Sequence, residues 1–166
     1  MTCIGLFGTC GKSTWREAFV EKYEGEGIEF FNPQVGFGEW HPGMVDDENR
    51  HLAEDEIILF PVTDESTGQG SLAEIGFSIQ QALRMNRNRY FVFLIDDECN
   101  DPDADEFHIK DSVNSRKLVK SKLTEEAKNC HNVFIVETME EMLDLSVWLH
   151  TISEEYESLQ DTVSSL

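Results

Sequence analysis

The sequence predicts an α/β domain with a five-stranded parallel sheet and helices on both faces. Five short apolar runs, rich in β-branched and aromatic residues, alternate with stretches of helical periodicity. This alternation is typical of βαβ units, which have right-handed crossovers and a parallel sheet. The five predicted strands lie at residues 3–7, 27–31, 57–60, 90–95 and 133–136.

The first predicted strand ends in a glycine turn, Gly8 to Gly11, and a helix over 14–23 follows. A turn between a strand and a helix N-terminus presents free amides, so Gly8 and Thr9 are predicted to contact a phosphate or a sugar hydroxyl. The tail Gly11-Lys12-Ser13 also suggests a degenerate P-loop NTPase, although Leu6 occupies the position of its first glycine.

The second predicted strand ends at Asn32, and a loop at 34–44 follows with Trp40 among its glycines. Loops of this length with exposed aromatic residues are often functional, so Trp40 is a candidate lid residue that stacks on a ligand. Packing of the loop on the core is the structural alternative. Residues 45–55 are acidic and predicted to be helical.

The central stretch, 56–83, combines a strand that Pro61 is predicted to end, a glycine-containing loop and a helix predicted to open at Ser71. Glu74 then falls in the first turn, near the carboxyl ends of the strands, where α/β proteins bind ligands. Ser71 and Glu74 also fit a capping box, as do Thr138 and Glu141. Structural and catalytic interpretations of Glu74 therefore both stand.

The remaining chain continues the same alternation. Asp96 follows the fourth strand at the carboxyl edge, and residues 100–111 are predicted to be a surface loop. Helices are predicted at 112–128 and 139–153, and 154–166 is predicted to be a frayed, acidic tail. The predicted organisation is one flavodoxin-like domain over 1–153 plus this tail.

Composition limits the class of ligand. The 166 residues include 33 acidic and 13 basic side chains, a formal net charge of −20, which disfavours nucleic acid polymers and anionic membranes. The four cysteines lack metal-site spacing, and no signal peptide or span of about 20 apolar residues is evident. A cytoplasmic protein with reduced thiols, a small-molecule ligand and no metal is expected.

Three segments together resemble the nucleoside 2-deoxyribosyltransferase-like superfamily. They are Leu6 to Arg16, Phe31-Asn32-Pro33 followed by Trp40, and the stretch from Glu56 to Gly76 that contains Thr67-Gly68-Gln69-Gly70-Ser71. The resemblance covers most of residues 3–96. It implies the strand order 2-1-3-4-5 and a homo-oligomer in which a neighbour completes the pocket.

The resemblance also implies an activity without a cofactor: cleavage or exchange of a nucleoside or nucleotide N-glycosidic bond through a covalent glycosyl-Glu74 intermediate. Glu74 would be kept ionised by the helix start. Asp47 or Glu48 would lie near the base, and Gly70 and Ser71 near the substrate. Gly68 and Leu6 depart from the family pattern, which has Asp and Tyr there. A non-catalytic nucleotide-binding sensor is the alternative.

Overall fold

The computed structural model describes residues 2–10, 13–34, 43–79 and 89–164. The predicted contacts of Trp40 and the P-loop-like residues Gly11 and Lys12 lie outside the described residues. The elements in chain order are β1 (Cys3–Leu6), α1 (Arg16–Glu26), β2 (Glu29–Phe31), α2 (Gly43–Glu54), β3 (Ile57–Val62), α3 (Gln69–Glu74) with a π-helical turn (Ile75–Ile79), β4 (Tyr90–Ile95), α4 (Glu106–Ala127), β5 (Val133–Ile135) and α5 (Met139–Ser164).

The five strands form one parallel sheet in the order β2-β1-β3-β4-β5. This confirms the predicted flavodoxin-like fold and strand order. The centre of the sheet is the β3–β4 pair, which runs in register from Ile57↔Tyr90 to Val62↔Ile95. Every residue of β3 is buried, as expected for a strand covered on both faces.

Side-chain alternation along β3 divides the core into two layers. Ile58, Phe60 and Val62 point into a layer that Leu52 of α2 and Leu123 of α4 complete, with Leu72 and Ile79 also packed in it. Ile57 and Leu59 point into the opposite layer, which is completed by residues of α1 and α5: Phe19, Tyr23, Met142 and Leu149. Helices therefore cover both faces, as predicted.

Three predicted boundaries are wrong. Pro61 does not end β3; it pairs with Leu94, and its carbonyl accepts the Thr9 N–H at 2.8 Å, so the missing proline donor does not break the strand. Helix α4 begins at Glu106, where Asp105 caps it by accepting the His108 N–H.

The third wrong boundary is the end of the last helix, which was predicted at residue 153. Instead of a frayed tail from 154, α5 continues to Ser164, and the Glu154 carboxylate accepts the Thr2 N–H at 2.8 Å. That contact ties the last helix to the start of the chain. None of the helices in the described part of the chain is long and apolar enough to cross a membrane.

The two capping boxes of the sequence behave differently in the structure. At α5 the box forms: Glu141 N–H donates to Thr138 Oγ1 at 3.1 Å, and the Glu141 carboxylate accepts from the amides of Glu137 and Thr138. At α3 it does not form, because the helix begins at Gln69 after Gly68, with no side-chain cap. Ser71 is thus the third residue of α3 instead of its N-cap, and Glu74 is the last residue of this helix.

Replacing the first residue of each capping box should affect the free energy of unfolding differently at the two sites. Thr138→Ala is expected to lower the free energy of unfolding by about 1 kcal/mol, because it removes a formed N-cap. Ser71→Ala should change it by less than about 0.5 kcal/mol. Urea unfolding of both variants measures this difference; equal losses would show that Ser71 also caps a helix.

Candidate functional site

The candidate site lies at the carboxyl edge of the sheet, where the loops after β1 and β3 are joined to each other. Thr9 is buried and connects them: its Oγ1 accepts the Thr63 N–H at 2.9 Å, in addition to the backbone bond to Pro61. Gly8 has φ of 93°, and a Cβ there would lie 2.3 Å from the Pro61 carbonyl oxygen. Gly8 and Thr9 therefore build the loop; their predicted ligand contacts stay a prediction.

Arg16 is a buried residue of this edge that the sequence did not single out. Its Nε donates to the Leu6 carbonyl at 3.0 Å and its Nη1 to the Thr9 carbonyl at 2.6 Å. Trp15 donates from its indole N–H to the same Thr9 carbonyl and lies against the Arg16 guanidinium. Arg16 thus fixes the loop after β1 and places a positive charge under it.

Two half-buried carboxyls face this region, Glu48 of α2 and Glu74 of α3. Burial raises the pKa of Glu48, an effect that the nearby Arg16 charge partly opposes. Burial also raises the pKa of Glu74, and the Glu48 charge raises it further. Each carboxyl is therefore close enough to its neighbour for their charges to interact.

Asp47 and Glu48, of which one was predicted to lie near the base, differ in solvent exposure. Asp47 points to solvent and lies 3.4 Å from Arg50, one turn along α2. Glu48 is half-buried and interacts with Arg16 and Glu74. On geometry, Glu48 is the acidic residue of α2 that belongs to the site, whereas Asp47 does not face it.

The environment of Glu74 corrects the prediction that a helix start keeps it ionised. Glu74 is the last residue of α3, and the π-helical turn follows it directly. No described group hydrogen-bonds to its carboxyl, and its pKa is raised rather than lowered. A Cβ built on Gly76 would have no described atom within 4 Å, so packing does not require a glycine there.

The loop after β3 is held by Arg116 of α4, another buried residue that the sequence did not indicate. Arg116 donates to the carbonyls of Val62, Thr63, Ser66 and Asp96 and to the Ser112 hydroxyl. Gly68 has φ of 63°, and a Cβ there would lie 2.7 Å from Val62 and 3.2 Å from Arg116. This packing explains why Gly68 occupies a position where the resembled family has Asp.

The other predicted residues lie around the same edge. Asn32 is half-buried and accepts the Gln34 N–H at 3.0 Å, whereas Gly70 and Ser71 occupy the first turn of α3. Asp96 accepts the Asp64 N–H at 2.8 Å and so supports the loop after β3. The predicted substrate-binding roles of Asn32, Gly70 and Ser71 stay predictions.

An open cleft of about 670 Å³ adjoins this edge on its β2 side. Arg16, Asn32 and Gln34 line its inner end, and three glutamates of α1 line its outer wall: Glu17, Glu21 and Glu24. Such a wall repels polyphosphates, and it suits a neutral or hydroxylated ligand.

Comparisons with known proteins support the fold and identify no family for the chain. No family model and no curated protein matches the chain. Among solved structures, the chain is similar to a crystal structure of the RPS4 and RRS1 TIR domain heterodimer, at 9% identity and a TM-score of 0.53. The match covers 90% of this chain and 98% of that one. At this identity the likeness establishes the α/β fold.

This finding overturns the predicted activity. The similar structure is a TIR domain and not a deoxyribosyltransferase, so cleavage or transfer at an N-glycosidic bond through a glycosyl-Glu74 intermediate is wrong, as are the transferase and hydrolase assignments. The charges around Glu74 also argue against a nucleophilic role. A nucleophilic carboxylate must be ionised, whereas burial and the Glu48 charge raise the pKa of Glu74 and so favour its neutral form. The α/β fold is compatible with enzymatic activity in general.

Replacing Glu74 should stabilise the protein at neutral pH. Its pKa in the folded state lies above the usual value of 4.5, so the wild type loses stability as the pH rises from there through the folded-state pKa. Glu74→Gln removes that loss. We therefore expect a higher free energy of unfolding for Glu74→Gln at about pH 7 and convergence of the two proteins below about pH 4.

Urea unfolding over this pH range measures the effect. Asp47→Asn is the matched control, because its carboxyl is exposed and should give parallel stability curves. If Glu74→Gln instead loses stability at neutral pH, the carboxylate is held in its ionised form and the electrostatic description of the site fails.

Proposed function

We propose that the domain is a binding module that recognises the sugar of a nucleoside-type small molecule at this carboxyl edge. The observation that carries the proposal is the pair Glu48 and Glu74. Both carboxyls are half-buried, both have raised pKa values, and no described group hydrogen-bonds to either. Half-buried carboxyls without internal partners are groups that a ligand can satisfy.

The two carboxyls are suited to different roles. The positive charge of Arg16 opposes the rise in the Glu48 pKa, whereas the Glu48 charge adds to the rise at Glu74. Glu48 is therefore the better acceptor of the pair, and the shift in the Glu74 pKa is toward the protonated form, which donates as well as accepts. Adjacent sugar hydroxyls need such a combination, because each both donates and accepts.

A neutral ligand fits the surroundings better than a phosphorylated one. The guanidinium of Arg16 is already engaged by the Leu6 and Thr9 carbonyls, and the adjoining cleft carries three glutamates. The resemblance at residues 3–96 supports a nucleoside as the class of ligand. Trp40 is its proposed aromatic cover.

Binding to variants of the pair tests the proposal. Calorimetry with adenosine, deoxyadenosine, cytidine and AMP should show saturable binding of at least one nucleoside, and weaker binding of AMP than of adenosine. Glu74→Ala and Glu48→Gln should each lower the affinity for the nucleoside by about tenfold, which corresponds to the loss of one buried hydrogen bond. Glu74→Gln keeps a donor and an acceptor and should bind near normally.

Asp47→Asn is the control and should leave affinity unchanged. Chromatography after prolonged incubation should recover the nucleoside intact; release of free base would contradict a purely binding role. Absence of binding to all four compounds, or equal binding by Glu74→Ala and the wild type, would exclude the proposed site.

We also infer that two copies of the chain associate through the outer face of α5. Four exposed apolar side chains follow one side of this helix: Trp148, Tyr156, Leu159 and Val163. Their spacing of eight, three and four residues keeps them on one helical face. An exposed apolar stripe of this length marks an interaction surface, and the similar solved structure is itself a heterodimer of TIR domains.

Light scattering after size-exclusion chromatography measures this association. Leu159→Glu should give a monomer, because a carboxylate would be desolvated in the interface. Leu118→Glu is the control, since Leu118 is as exposed but lies on α4. Added salt should favour the dimer by screening the repulsion between chains of charge −20. A wild type that is monomeric at high salt and high concentration would contradict the inference.

A further inference from the structure

A second cluster of chemistry-bearing side chains lies at the amino edge of the sheet, opposite the candidate site. It consists of Cys3 at the start of β1, His51 in the last turn of α2, and Asp55 just before β3. One ligand atom from each residue lies within 4.8 Å of the other two. The structure thus unites a thiol, an imidazole and a carboxylate from three segments.

Asp55 provides a second and independent indication of a ligand. Its side chain is only 4% exposed, and its Oδ1 lies 2.8 Å from His51 Nδ1. Its Oδ2 is buried and has no hydrogen-bond partner of the nitrogen or oxygen type among the described residues, and the Cys3 thiol is the side chain that interacts with this carboxyl besides His51. Buried carboxylate oxygens without a partner are rare and costly, so this oxygen needs a cation or a donor.

The surroundings hold the cluster in place. Gly5 leaves room beside Asp55, because a Cβ on it would lie 2.8 Å from Oδ2. The His51 ring stacks on Phe31 with centroids 3.7 Å apart and planes at 5°, which fixes the direction of its nitrogens. Gly5, Phe31 and His51 belong to β1, β2 and α2, so the geometry comes from the fold.

We propose that Cys3, His51 and Asp55 bind one Zn²⁺ ion. Sulfur, imidazole nitrogen and carboxylate oxygen are the ligands that Zn²⁺ takes in proteins, and three protein ligands leave a fourth tetrahedral position for water. On binding, the thiol proton is released to solvent, and the proton that His51 Nδ1 shares with Asp55 Oδ1 is transferred to His51 Nε2, so the neutral ring binds the ion through Nδ1. The unpartnered Asp55 Oδ2 is then available for coordination.

The charges around the cluster favour a cation. The carboxylates of Glu29 and Glu56 act on the Cys3 thiol in addition to Asp55. Arg89 is the opposing charge, but its guanidinium donates to the carbonyls of Asp55 and Leu52 and so is directed to the backbone. Arg50, whose Nη2 lies 3.1 Å from His51 Nε2, is exposed and has Asp47 as a second partner.

Cobalt titration of the chelator-treated full chain tests the site, because Co²⁺ bound to a thiolate gives a charge-transfer absorption in the near ultraviolet. We expect one equivalent of Co²⁺ with this band, and its displacement by Zn²⁺. Cys3→Ser should abolish the band, whereas Cys10→Ser and Cys130→Ser should retain it. His51→Gln and Asp55→Asn should each weaken Zn²⁺ binding at least about tenfold.

The chain provides a matched control for the imidazole. His108 and Asp105 form a second His–Asp pair, with Nδ1 and Oδ1 2.7 Å apart, but both side chains are exposed. His108→Gln should therefore leave affinity and band unchanged. Circular dichroism of each variant establishes that it is folded. If Asp55→Asn does not fold, Cys3→Ser still decides the test, because it only exchanges sulfur for oxygen at a half-buried position.

Three results would overturn the proposal. The first is a charge-transfer band that persists in Cys3→Ser, which would place the metal on another thiol. The second is the absence of stoichiometric Zn²⁺ binding by the wild type. The third is Zn²⁺ binding that His108→Gln weakens as much as His51→Gln does. The nucleoside proposal does not depend on these outcomes, because its carboxyl pair lies at the other edge of the sheet.

Discussion

The structure depends on how the backbone groups beyond the ends of its parallel strands are satisfied. Strand pairing leaves carbonyls at the sheet edges without partners, and burial makes each one costly. Three buried arginines supply the donors: Arg16 to the loop after β1, Arg116 to the loop after β3, and Arg89 to the segment before β3. A guanidinium presents several donors in a fixed plane, so one side chain fixes a whole turn.

This use of arginine determines what the carboxyl edge can recognise. Arg16 and Arg116 are committed to backbone carbonyls, whereas Glu48 and Glu74 have no hydrogen-bond partner among the described residues. The loops of the candidate site are thus held by internal hydrogen bonds, and its two carboxyls are not. This difference is the physical basis of the proposed preference for ligands with hydroxyl or cationic groups over ligands with phosphate.

The sequence predicted what depends on local periodicity. The five strands, their parallel pairing and the helices on both faces follow from apolar runs and their spacing, whereas the strand order was implied by the resemblance. It did not predict what depends on tertiary contact. Ser71-x-x-Glu74 and Thr138-x-x-Glu141 are equivalent as motifs, yet only the second caps a helix, because the N-cap of α3 is Gly68, three residues before Ser71. Arg116 carried no local signal, since its partners lie about 50 residues away.

The activity was the least predictable property because the same fold accommodates different chemistry. Assigning Glu74 as a nucleophile required a particular charge state, and that state is set by burial and by Glu48, neither of which a motif specifies. Helix α2 connects the two edges of the sheet: Glu48 contributes to the carboxyl pair, and His51, one turn later, belongs to the cluster with Cys3 and Asp55. An ion that fixed the end of α2 would also restrain Glu48, so occupancy at the amino edge would reduce the ordering cost of binding at the carboxyl edge.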